Sequence, residues 1–162
     1  MSVAVTYQSK CTVRETIEAN DASLGDPVVT HNGFDTVDAL NAASTPPATK
    51  VAAFEALLTD GSGSIDLAAL VGTNGAVVDG TGLKVQVLKL KAKSTNANVI
   101  TIDVGETNGY ALLGAAFSVA LLAGQEVLIY GNEATPDVAS GAKVLDLVGT
   151  GVQGLDVIVV LG

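Results

Sequence analysis

The clearest alternation of apolar and polar residues lies between Leu83 and Tyr130. Four short segments in this block alternate with period two, as half-buried strands do, and turn-forming residues separate them. The block therefore predicts four consecutive β-strands. Similar segments flank it on both sides and bring the total to about nine or ten strands, at the spacing of ~8–12 residues that is typical of all-β sandwiches.

The alternation slips once inside this block. Apolar residues occupy odd positions from Leu83 to Val87 and even positions from Leu88 to Ala92. One extra residue in the strand returns both sets to the same face of the sheet, which is the effect of a β-bulge. We predict a bulge at the step from Val87 to Leu88.

These patterns predict an all-β protein with a single-domain antiparallel β-sandwich over residues 1–162, and a jelly roll is the expected topology. Residues 1–27 are alternatively a peripheral N-terminal arm. The main ambiguity is Lys50–Leu58, whose apolar residues also fit one face of a helix, although the pattern favours a strand. The glycine-rich stretch Gly72–Gly82 predicts a loop or a hairpin of minimal strands.

Composition narrows the function classes. Seventeen acidic residues against eight basic ones give a net charge of −9, which repels nucleic acid. No apolar run reaches the ~18 residues that a membrane-spanning helix needs, so we expect no membrane partner. A single cysteine, Cys11, allows no intrachain disulfide, and we find no basic-then-apolar leader. We therefore expect folding in a reducing cytosol.

Two motifs match binding loops only in part. Gly149–Gly154 has the G-x-G-x-x-G spacing, but the eight residues that follow are strand-like, so a glycine-rich turn is favoured and no cofactor is expected. The second motif places oxygen ligands at alternate positions, as the first half of a calcium loop does. It lacks the glycine and the glutamate of such a loop, so a polar hairpin without metal is favoured. Its candidate ligands are Asp60, Ser62, Ser64 and Asp66.

Nucleophilic catalysis has few residues to use. His31 is the only histidine and Cys11 the only thiol, and no G-x-S-x-G elbow accompanies them. We interpret His31 as a solvated turn residue and Cys11 as a small packed side chain. The chain is therefore predicted not to be an enzyme.

Two surfaces are candidates for contacts. Lys89, Lys91 and Lys93 lie on one side of one strand. They form either a solvated face that protects a sheet edge or a contact with an acidic neighbour in an assembly.

The closing strand directs one alternating set of side chains to the core and leaves Asp156, Ile158 and Val160 on the other face. Burying an aliphatic side chain of this size stabilises by roughly 1.5–3 kcal/mol, so this face predicts a subunit contact. The alternative is that the strand is central and that its own chain covers both faces.

Five segments share a texture of short strands, small turns and few charges: Lys50–Phe54, Ser64–Leu70, Gly80–Lys91, Phe117–Tyr130 and Leu155–Gly162. They resemble the β-sandwich or jelly-roll proteins that decorate or cement the capsids of tailed phages. The resemblance implies a non-enzymatic virion protein, commonly a homotrimer, that binds between subunits of the major capsid protein. It also implies assembly in the cytoplasm of the host bacterium, and it carries over no functional residue.

Two other classes stay open. A β-sandwich binding module for carbohydrate or calcium would use ligating side chains on loops, and the hairpin at Asp60–Asp66 supports it best. The absence of tryptophan argues against a sugar platform, because sugars stack on aromatic faces. A small jelly-roll enzyme would need a convergent histidine or carboxylate site. A stable trimer without metal favours the virion protein, and a calcium-dependent monomer favours the module.

Overall fold

A computed structural model describes residues 3–20, 23, 25–33 and 35–162. These residues form fourteen strands and a short 3-10 turn at Asn132–Ala134, so the prediction of an all-β antiparallel protein is confirmed. None of the helical structure in the described residues is long and apolar enough to span a membrane. The strands are β1 Ala4–Ser9, β2 Val13–Thr16, β3 Val28–His31, β4 Thr36–Asn41, β5 Lys50–Leu58, β6 Ser62–Asp66, β7 Leu70–Val71, β8 Val77–Val78, β9 Val85–Ala92, β10 Ile100–Val104, β11 Ser118–Leu121, β12 Glu126–Tyr130, β13 Val144–Val148 and β14 Gln153–Leu161.

The chain divides into two compact units. The smaller unit, Val5–Ala39, holds the pair β2 and β3 and most of the pair β1 and β4. The larger unit contains Leu40–Gly162 together with residues 3 and 4. The single domain over 1–162 and the alternative arm at 1–27 stay predictions, and residues 1, 2, 21, 22 and 24 of that arm lie outside the described residues.

Two four-stranded antiparallel sheets form the larger unit. Sheet A has the order β5-β14-β9-β12, and sheet B has the order β6-β13-β10-β11. Buried side chains of both sheets belong to one hydrophobic cluster, as they do between the inner faces of a β-sandwich. Numbered one to eight along the chain, these strands read 1-8-3-6 in sheet A and 2-7-4-5 in sheet B.

The ambiguous segment Lys50–Leu58 is a strand, as the pattern favoured. Ala52, Ala56 and Leu58 are buried in the core, whereas Leu57 is 60% exposed on the opposite face. An apolar residue on the outer face made the pattern fit a helix as well. The stretch 72–82 contains β8, which pairs with β7 in a hairpin of two-residue strands, so that prediction is also confirmed.

Strand β9 contains a bulge, but one residue earlier than predicted. Val87 lies opposite Val160 of β14, and Val85 lies opposite the next residue, Leu161. Gln86 is therefore the residue without a partner in the ladder. The pairing is regular on the C-terminal side of this bulge.

The predicted slip after Val87 is wrong, because Val87 shares the register of Leu88. Val85 and Leu88 both belong to the core, whereas Val87 is buried outside the core cluster. Gln86 is fully buried at the bulge, and its side-chain NH₂ donates to the carbonyl of Gly162 at 3.3 Å. The bulge thus returns the strand to its core face three residues after Val85.

Tyr110 lies in the loop between β10 and β11 and connects this loop to the start of β9 by a hydrogen bond. Its hydroxyl accepts the N–H of Val85 at 3.2 Å and donates to the carbonyl of Pro136 at 2.7 Å. The side chain is fully buried, and burial raises the pKa of the phenol above its usual value. The bond donated to Pro136 requires the neutral hydroxyl, which burial favours.

The turn Asp60–Gly61 connects β5 of sheet A to β6 of sheet B. Asp60 has φ of 51° and Gly61 has φ of 83°, and the flanking Thr59 and Ser62 are paired. Two left-handed residues define the type I′ turn that suits a tight hairpin. A Cβ on Gly61 would also lie 2.6 Å from the carbonyl oxygen of Gly149, so space as well as φ requires glycine here.

We expect Gly61→Ala to destabilise the protein more than Gly75→Ala. Both glycines have positive φ, which costs an L-residue roughly 1–2 kcal/mol, but a Cβ at Gly75 would meet no atom within 4 Å. The Gly61 variant adds a clash with backbone to the same strain. Urea unfolding of both variants measures the difference, and equal losses would show that the contact with Gly149 is unimportant.

Candidate functional site: the outer face of sheet A

The two groups of contact residues predicted from the sequence meet on the outer face of sheet A. Ile158 of β14 lies opposite Lys89 of β9, and Asp156 lies opposite Lys91. Directly opposed residues of antiparallel strands place their side chains on the same face. We call the resulting surface the mixed-charge face. It consists of two rows across four strands, Leu128, Lys89, Ile158 and Ala53 in the first and Glu126, Lys91, Asp156 and Glu55 in the second.

The lysines of this face are neutralised by acids of the same sheet. Lys89 and Lys91 lie 3.6 Å and 3.9 Å from the carboxylate of Glu126. Lys93 lies 2.5 Å from Asp156 and 3.8 Å from Glu55.

With the ammonium of Lys93, which follows β9, the face carries three ammonium groups and three carboxylates and so no net formal charge. The pKa of Lys93 is raised above its ordinary value, first by its hydrogen bond to Asp156 and then by the nearby negative charges. A contact of an acidic partner with Lys89, Lys91 and Lys93 stays a prediction. The face has no excess positive charge that would favour such a contact.

Ile158 and Val160 differ sharply in exposure, although both lie on the outer face of β14. Ile158 is 42% exposed and Val160 only 1%, and Val87 opposite Val160 is 4% exposed. Val160 is therefore buried by its own chain and not left for a subunit contact, as the alternative of a central strand covered on both faces predicts. A subunit contact at Asp156 and Ile158 stays a prediction.

A shallow hollow opens between β5, β14 and β9 on the mixed-charge face. Ala53 and Ile158 supply aliphatic surface, and Lys89, Lys91 and Asp156 supply charged groups around it. An apolar centre with a polar rim is the arrangement found at protein–protein contacts. This surface can therefore contact another molecule through its apolar side chains. Its charged groups can form ion pairs with that molecule in place of those they make within the sheet.

The four candidate calcium ligands do not form a binding loop. Ser62, Ser64 and Asp66 lie along β6, where four residue steps span roughly 13 Å, so their oxygens cannot surround one ion. Asp66 already accepts the N–H of Ala68 and pairs with Lys143 at 2.7 Å. This arrangement gives no support to a metal site at these residues or at Asp60. No group of three or more His, Cys, Asp or Glu side chains in the described part of the chain is arranged to hold a metal ion.

Residues 149–152 form a glycine-rich turn, and Gln153 and Gly154 begin β14, as favoured over a phosphate loop. The N–H of Gly61 donates to the carbonyl of Gly151 at 2.9 Å, and the N–H of Gly149 donates to the carbonyl of Gly61 at 2.8 Å. The glycines therefore allow this turn to pack against the turn between β5 and β6.

His31 and Cys11 are both exposed in the smaller unit. His31 is the last residue of β3, and its Nε2 lies 3.2 Å from Glu15 of β2. The solvated histidine is confirmed, but the packed cysteine is wrong. Free cysteines are usually buried as small apolar residues. Cys11 instead lies between β1 and β2, and its backbone N–H donates to Asp35 at 2.9 Å.

Glu55 and Glu126 are the charged members of the mixed-charge face that sequence reasoning missed. Both alternate outward on their strands, which the sequence shows. Their partners depend on which strands lie side by side. Lys89 meets Glu126 only because β12 is the neighbour of β9.

The comparisons with known proteins find no relatives. No protein-family model matches the chain, and no curated protein or solved structure matches it significantly. A proposal for the function rests on the fold, on the surfaces described above and on the resemblance.

Proposed function

We propose that the protein is a non-enzymatic structural protein of a tailed-phage virion, of the type that decorates or cements the capsid by binding between subunits of the major capsid protein. We further propose that its sandwich is a jelly roll. The observation that carries both proposals is the interleaved strand order 1-8-3-6 and 2-7-4-5. Eight strands in two four-stranded sheets match a jelly roll, which recurs in viral capsid proteins.

The fold alone does not decide the function, because jelly rolls also occur among lectins. The mixed-charge face adds a second argument for an assembly protein. It is neutral overall and combines aliphatic surface with charged groups that are already paired. Such a surface suits contact with another protein better than contact with a polyanion.

The competing binding modules have less support. A calcium module would need the loop at residues 60–66, which is instead a tight turn followed by a strand. A carbohydrate site stays a prediction, and none of the surfaces described above has a feature that matches such a site. The acidic balance of the chain agrees with a place on the outer shell, where a protein does not touch the packaged genome.

The virion proposal is tested on particles produced by cells that carry the gene. Phage particles banded in caesium chloride should contain the chain in a fixed ratio to the major capsid protein, measured by quantitative mass spectrometry. A host cytosolic protein is the control for trapped contaminants, and a wash with EDTA should leave the ratio unchanged. A chain that stays entirely in the soluble fraction contradicts the proposal.

A further inference from the structure

The outer edge of β5 is the longest free strand edge of the two sheets. β5 has nine residues, whereas the other edge strands, β6, β11 and β12, have five, four and five. Its register with β14 is regular over all nine residues. Among the described strands, β5 pairs with β14 only, so one side of its backbone carries no ladder.

Beyond its first residue, this edge also lacks most of the features that usually prevent pairing. Natural edge strands are protected by proline, by bulges or by charged side chains, especially lysine. β5 contains no proline, and its two charged residues are Lys50 at its first position and Glu55, which lies 3.8 Å from Lys93. By contrast, three of the five residues of β6 are Ser or Asp.

Neighbouring strands approach both ends of β5. A Cβ on Gly63 would lie 3.0 Å from the carbonyl oxygen of Leu57, which places β6 beside the end of β5. At the other end, Val51 lines a surface hollow together with Val78 of β8. The segment Ala52–Ala56 lies between these neighbours and has the length of an ordinary strand pairing.

We propose that this segment pairs with the same segment of a second copy of the chain, antiparallel and around a two-fold axis at Phe54. The sequence favours a copy of itself, because it reads similarly in both directions from Phe54. Ala52 then lies opposite Ala56 of the second copy, and Ala53 lies opposite its Glu55. Phe54 lies opposite its own copy, each larger Glu55 faces a small Ala53, and no like charges are opposed.

The contact joins two copies of sheet A into one eight-stranded sheet. A two-fold contact is the commonest symmetry of homo-oligomers and uses the same surface on both subunits. It keeps Phe54 of each copy on the core side of the joined sheet, where the side chain already packs against the core. The pairing predicts a dimer, whereas the resemblance implies a trimer. It does not depend on the proposed virion function, and purified protein suffices to test it.

Cysteine pairs test the register in a Cys11→Ser background. Mixed Ala53→Cys and Glu55→Cys chains should form disulfide-linked heterodimers, because opposed residues lie about 4.5–5.5 Å apart between Cα atoms, within disulfide range. Leu57→Cys is the control, since two copies of residue 57 would lie six residue steps apart, or roughly 20 Å. All three positions are exposed, so the variants should fold.

Charge reversal at one position tests the contact without cross-linking. Ala53→Glu places carboxylates opposite Glu55 twice in the symmetric dimer and should give monomers at concentrations at which the wild type is a dimer. Ala53→Lys at the same position pairs with Glu55 instead and should keep the dimer. Sedimentation equilibrium measures both. A wild-type protein that is monomeric or trimeric at about 50 µM, the weak end of specific association, overturns the proposal. Cross-linking at residue 57 that equals the cross-linking of the mixed pair also overturns it.

Discussion

Deletion of Gln86 is expected to unfold the protein or to lower its stability severely. Gln86 is the extra residue of the β9 bulge and lets Val85 and Leu88 both face the core. Without it, one side of the strand must turn over, because a slip of one residue exchanges the two faces. If the C-terminal part turns over, Leu88 and Leu90 leave the core, and each loses roughly 1.5–3 kcal/mol of burial.

That loss is large against a total stability of about 5–15 kcal/mol for a domain. Deletion of Ala97, an exposed residue in the loop between β9 and β10, is the matched control and should cost much less. Thermal unfolding followed by circular dichroism compares the two deletions. A Gln86 deletion that unfolds within a few degrees of the wild type would show that the bulge does not maintain the register.

The sequence could predict the strands but not their neighbours. Alternation within the central block found the four strands from β9 to β12, because local periodicity is visible in one segment at a time. The pairing of β12 with β9 and of β9 with β14 joins residues far apart in the chain. The ion pairs of Lys89 and Lys91 with Glu126 follow from that pairing, so they could not be predicted.

The position of the bulge shows a second limit. An alternation slip between Val85 and Leu88 can be produced by an extra residue at either intermediate position. Because Val87 is apolar, the alternation pattern assigns it to the core, whereas it lies on the outer face and is buried there. Polar Gln86 is the residue without a partner in the ladder, and its buried side-chain NH₂ donates a hydrogen bond to the carbonyl of Gly162.

Val160 illustrates the same limit on the outer face. The run Ile158–Val159–Val160 is apolar on both faces, and this signalled that the outer face needs a cover. The sequence could not tell whether the cover comes from the chain or from another subunit. The structure answers this for Val160, which is buried within the chain, and leaves Ile158 exposed.

Val160→Asp is expected to unfold the protein, whereas Ile158→Asp is expected to leave it folded. Val160 is 1% exposed, and a carboxylate there would be buried among apolar side chains such as Val87. An unpaired buried charge costs several kcal/mol even after the protein relaxes. Ile158 is 42% exposed, and Asp at this position would lie opposite the ammonium of Lys89, so we expect a loss of about 1 kcal/mol or less.

The same substitution at two positions of one strand separates burial within the chain from burial in an assembly. Urea unfolding gives the stability of each variant, and light scattering gives its mass. If Ile158 lies at a subunit contact, its Asp variant should be folded and smaller than the wild type; if it lies in solvent, the mass should not change. The residues opposite Val160 on β5 and β9 are Val51 and Val87, so neither strand supplies a cation at that position. A stable Val160→Asp variant would therefore contradict the burial of Val160.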